Sequence, residues 1–73
     1  MKIKARDGKV YEVGTAAPGG RHDVRLEGAV VGTFVLEETE TVVEVKDARA
    51  NEALLVDIAD RFVAQGGAPM GIA

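Results

Sequence analysis

Apolar residues recur with a period of two between positions 1 and 13, interrupted at Asp7-Gly8. A two-residue turn there would set Ile3 opposite Glu12. A three-residue loop, Arg6-Asp7-Gly8, instead pairs Ile3 with Tyr11 and Met1 with Val13. Successive strand residues point to opposite faces. Met1, Ile3, Ala5, Tyr11 and Val13 therefore share one face, and Lys2, Lys4, Val10 and Glu12 the other. A hairpin loop of this length places its last residue in the left-handed region, where Gly8 stands. Gly14-Thr15-Ala16-Ala17-Pro18-Gly19-Gly20 reads as a loop.

Strand patterning returns from Asp23. A turn at Glu27-Gly28 separates Asp23-Val24-Arg25-Leu26 from the run 29–36, which is apolar on both faces as a central strand requires. A second turn at Glu38-Thr39 pairs Leu36 with Thr41, Phe34 with Val43 and Gly32 with Val45. Val30, Phe34, Leu36, Val43 and Val45 then form a core face. Val31, Thr33, Val35, Val42, Glu44 and Lys46 form the opposite face. Leu54, Leu55, Ile58, Ala59, Phe62 and Val63 follow the spacing of an amphipathic helix. Asp47 or Asn51 caps its start, and Gly66-Gly67 with Pro69 ends it. About 18 residues would make a rod of ~27 Å. The expected fold is α+β: an antiparallel β-meander of four to five strands, with one C-terminal amphipathic helix packed on one face. One small domain covers 1–73, ending in an apolar, Gly-rich tail at 68–73.

Composition narrows the function. The chain has 73 residues, nine Lys plus Arg, twelve Asp plus Glu and a net charge of −3. Binding to nucleic acid needs a basic face. Here the bases are dispersed beside acids, as in Arg6-Asp7, Lys46-Asp47 and Asp60-Arg61. Lys2, Lys4 and Arg6 alternate, which is the pattern of a solvated strand face. One Tyr, two Phe and no Trp offer little for base stacking. No nucleic acid and no membrane partner is expected. Charges occupy the place where a signal peptide needs apolar residues, and cysteine is absent. A cytoplasmic location is expected on those two grounds.

Candidate chemistry is sparse. Without Cys or Ser, the hydroxyl nucleophiles are Thr15, Thr33, Thr39, Thr41 and Tyr11, none in a triad setting. Glu37, Glu38 and Glu40 crowd one turn without the order of a calcium loop. Charge there keeps a hairpin tip soluble. His22, the single histidine, is too few ligands for a transition metal. It follows Gly19-Gly20-Arg21, a stretch that could offer N–H groups to an anion but lacks a phosphate-loop pattern. No catalytic residue, metal or cofactor is expected.

Glu27-Gly28-Ala29-Val30-Val31-Gly32-Thr33-Phe34-Val35-Leu36 is similar to a strand pair of GNAT-type acetyltransferases, and 41–46 and Ala53-Leu54-Leu55 continue the likeness. That resemblance implies a glycine-containing pyrophosphate loop at the helix start. The chain reads Asp47-Ala48-Arg49-Ala50-Asn51-Glu52 there, so the activity is not carried over, and a degenerate remnant of such an enzyme is the most it implies. The leading expectation is a non-enzymatic protein acting through protein–protein contact. It would self-associate, as a dimer most simply, through Val31, Val35 and Val42 on the sheet face that one helix leaves open. An unknown protein partner is the variant of that reading. The alternative is a small-ligand-binding domain with a pocket between helix and sheet, near Tyr11, Arg21, His22, Phe34 and Phe62.

Overall fold

In a computed structural model, which describes residues 1–67, the first hairpin forms as its pattern requires. Strand β1 (Lys2–Lys4) pairs antiparallel with β2 (Val10–Val13), with Ile3 opposite Tyr11. The Ala5 N–H donates to Lys9 O at 2.9 Å and the Gly8 N–H to Ala5 O at 2.9 Å. Gly8 takes φ +85, a left-handed value that a side chain would disfavour. Ile3, Tyr11 and Val13 are buried, whereas Met1 at the strand end is 43% exposed.

Strands β3 (Arg21–Leu26), β4 (Ala29–Leu36) and β5 (Thr41–Val45) complete a five-stranded antiparallel sheet in the order β1-β2-β3-β4-β5. The turn between β3 and β4 is Glu27-Gly28, with φ 53 and 85. Both values are positive, the geometry whose twist suits a two-residue hairpin. Strand β4 pairs with β5 as the pattern requires, Phe34 opposite Val43 and Leu36 opposite Thr41.

Two features depart from expectation. Strand β3 begins at Arg21 rather than Asp23, because the long β4 offers Val35 and Phe34 as partners to Arg21 and His22. A β-bulge also interrupts the β3–β4 ladder. Val24 faces Gly32 while Arg25 faces Val30, so Val31 is an extra residue on β4. A bulge shifts the alternation of faces by one. Val31, expected on the open face, is therefore wholly buried in the core, and Val30, expected inside, is only partly buried. Val45, also expected inside, is 41% exposed because it lies on the edge strand.

The helix α1 (Glu52–Phe62) starts at Asn51, whose Oδ1 accepts the Leu54 N–H at 2.8 Å. Asp47 instead closes a separate turn. Its Oδ1 accepts the Arg49 N–H at 2.8 Å, and its carbonyl accepts the Ala50 N–H at 3.0 Å. Such local bonds compete with helix formation. Eleven α-helical residues span about 16 Å, shorter than the 18-residue rod expected. A π-helical turn, Val63–Gly67, follows, with Gly66 at φ 88. Leu54, Leu55, Ile58, Ala59 and Phe62 bury against the sheet. The helix packs on β5, β4 and β1. Because β1 and β5 are opposite edges, the sheet curls around it. The tail at 68–73 lies outside the described residues. No helix among the described residues is long and apolar enough to cross a membrane.

Candidate functional site

Of the five residues expected to line a ligand pocket, three form one cluster. His22 stacks on Phe34 with ring centroids 5.0 Å apart, and Phe62 closes on both, 4.8 Å from His22 and 5.6 Å from Phe34. Strand β3 supplies the histidine, β4 one phenylalanine and the last α-helical position the other. His22 Nδ1 lies 2.9 Å from the Gly14 carbonyl. A carbonyl only accepts, so Nδ1 carries the hydrogen. Nε2 is buried with no partner. In the neutral ring it is an acceptor lone pair held among aromatic faces. The Gly67 backbone lies on the Phe62 ring, since a Cβ there would come 2.5 Å from Cε1.

The other two residues stand apart. Arg21 is exposed, and it precedes the inward His22 on the strand, so it sits on the outer face of the sheet. Tyr11 is wholly buried, and its hydroxyl donates to Asp7 Oδ2 at 2.6 Å. Burial, reinforced by that anionic acceptor, pushes the Tyr11 phenol up to about 12. The same bond holds the Asp7 carboxyl below its ordinary value. This pair ties the first hairpin loop to its strand.

The acids are dispersed. Glu44 pairs with Lys46 at 3.3 Å and Asp57 with Arg61 at 2.9 Å. Asp57 also accepts the Arg6 N–H at 3.1 Å, joining the helix to the first hairpin. No three His, Asp or Glu residues converge as metal ligands among the described residues.

The expected interface residues separate in the same way. Val31 is in the core. Val35 and Val42 face each other across β4 and β5 on the outer side of the sheet, Val42 44% exposed and Val35 half-buried. On the opposite, helix-facing side of β5, Val45 and Val56 are also uncovered apolar side chains, and an open groove of about 730 Å³ lies between β5 and the helix, with Thr41, Val43, Ala53 and Val56 in its walls. Glu40, Glu52, Asp57 and Asp60 line the same groove against a single base, Arg6, and give it an acidic rim. Val56 follows the buried Leu54-Leu55 pair on the outward side of the helix, where the apolar spacing alone gives no reason to look. Compared with known proteins, the chain matches no family model, no curated protein and no solved structure.

Proposed function

We propose that this protein is a non-enzymatic contact module that self-associates through the β4–β5 side of its sheet. The observation that carries the reading is the placement of its uncovered apolar side chains. Val42, Val45 and Val56, between 38% and 44% exposed, flank the β5 edge from its two sides: Val42 lies on the outer face beside Val35, and Val45 lies on the helix side with Val56. Single exposed valines are ordinary on a protein surface. A group of them along one edge strand is the kind of patch that marks an interaction site. The outer face elsewhere carries Lys2, Lys4, Glu12, Arg21 and Arg25, all exposed, and Val10, 52% exposed, stands there singly among those charges. A chain this small gains much from burying apolar area against a second copy.

Sedimentation velocity over a micromolar concentration series tests this. The expected result is a reversible rise from the chain mass of 7.7 kDa to twice that mass. A constant monomer mass up to hundreds of micromolar overturns the reading.

A further inference from the structure

We infer that two copies join edge to edge, β5 pairing antiparallel with β5 of the second copy about a two-fold axis centred on Val43. This rests on the self-association reading and adds the geometry of the contact. The two sheet edges differ. Strand β1 is three residues long and carries Lys2 and Lys4. Any two-fold self-pairing of it sets lysine against lysine or arginine. Strand β5 reads Thr-Val-Val-Glu-Val, with four β-branched residues, and no strand pairs with its outer side among the described residues. Edges of the second kind recruit another strand, and lysines on an edge discourage it.

The backbone determines which groups are free. The Lys46 N–H donates to Val31 O at 2.9 Å, and the Glu40 carbonyl accepts the Glu37 N–H at 2.9 Å. Both bonds lie on the β4 side. Donor direction alternates along an antiparallel strand, so the even-numbered residues of β5 face β4. Thr41, Val43 and Val45 turn their N–H and C=O groups outward.

Charge then selects the register. A two-fold axis normal to the sheet keeps each face on its own side, so one residue must oppose its own copy. Centring on Val42 sets Glu40 against Glu44 of the second copy. Centring on Glu44 sets two glutamates face to face. Centring on Val43 sets Thr41 against Val45, Val42 against Glu44 and Glu40 against Lys46. Centring on Val45 also sets Glu44 against Lys46, but it carries the pairing past the end of β5 and leaves Thr41 and Val42 opposite Arg49 and Ala48, which lie outside any strand. The Val43 register alone pairs the whole of β5 with itself while opposing no like charges and joining two opposite-charge pairs. It also matches the outward groups of Thr41, Val43 and Val45 with their counterparts, closing six N–H···O bonds. Glu52 and Asp60, on the helix wall of the groove, oppose closer approach of the two helices and confine the contact to the strands.

Amide exchange and charge reversal together test this. In edge pairing, the amides of Thr41, Val43 and Val45 slow at least tenfold as concentration drives dimer formation, whereas face-to-face stacking leaves them fast. Lys46→Glu sets glutamate against Glu40 of the second copy and should weaken dimerisation about tenfold. Glu40→Lys combined with Lys46→Glu should restore it to within about threefold. Val35→Lys, one strand in from the edge, should leave the dimer intact. Circular dichroism confirms that each variant is folded. A dimer lost in Val35→Lys but indifferent to the charge reversals overturns the edge geometry and leaves self-association standing. Mass that grows without limit signals β5 joining β1 of another copy in an open chain, and also overturns it. A monomer at every concentration removes the underlying reading itself.

Discussion

Gly32 lies on the sheet directly against Leu55 of the helix, and replacing it with alanine tests how that contact is packed. A Cβ at Gly32 would stand 2.6 and 2.9 Å from the two Cδ atoms of Leu55 and 3.0 Å from the Glu44 carbonyl oxygen. Carbon atoms rest at about 3.5–4.0 Å, so the leucine must retreat by close to an ångström. It has no exposed direction to take, being wholly buried. Overpacking of this kind costs about 1–3 kcal/mol. Gly32 has no positive φ, so alanine also recovers about 0.4–1 kcal/mol by restricting the unfolded chain. The net loss expected for Gly32→Ala is about 1–2 kcal/mol, against a total stability of about 4–11 kcal/mol for a chain this long. Leu55→Val removes both clashing atoms at its own cost of about 1–2 kcal/mol, one methylene plus helix propensity. In that background Gly32→Ala should be neutral or slightly stabilising. Urea melts followed by circular dichroism give the cycle, with an expected coupling of at least about 1 kcal/mol. Additivity within about 0.3 kcal/mol, or a Gly32→Ala loss below 0.5 kcal/mol, refutes the packing argument.

Phe34→Ala or Phe62→Ala should cost about 3–5 kcal/mol, since each empties a buried aromatic site, and urea melts should find either variant largely unfolded near room temperature. Asn51→Ala removes the acceptor for the Leu54 N–H and should lower the denaturation midpoint by the equivalent of about 0.5–2 kcal/mol. Tyr11 is the single tyrosine and there is no tryptophan, so ultraviolet absorbance reads its ionisation alone, with an expected midpoint near 12. The folded phenol ionises above its unfolded value of about 10. Its contribution to stability is therefore full below about pH 10 and is lost as pH rises toward the folded value. Asp7→Asn should move the absorbance midpoint down, and an unchanged midpoint would assign the shift to burial alone. The Asp7 carboxyl has the opposite sign. Its contribution is present above about pH 4 and is lost as pH falls through its lowered folded value.

Local rules carried much of the fold. The first hairpin register followed from keeping Ile3 opposite Tyr11, and Gly8 and Glu27-Gly28 marked turns whose backbone needs positive φ. The spacing of Leu54, Leu55, Ile58, Ala59 and Phe62 identified the buried helix face. Each of these depends on residues within a few positions of one another, or on a strict alternation that a one-residue slip would ruin. Three things needed the assembled structure. The bulge at Val31 arises where β4 has one residue more than β3 can oppose, and no property of valine announces it. That single extra residue moved a proposed interface side chain into the core. The residue pattern alone puts His22 in a loop, whereas eight residues of β4 draw Arg21 and His22 into pairing and pack its ring against both Phe34 and Phe62. The exposure of Val45 and Val56 follows from β5 being an edge beside the helix. Alternation and turn chemistry are short-range and visible in one strand at a time. Bulges, edges and the neighbours of a buried ring depend on how many partners each strand finds, which only the whole sheet decides.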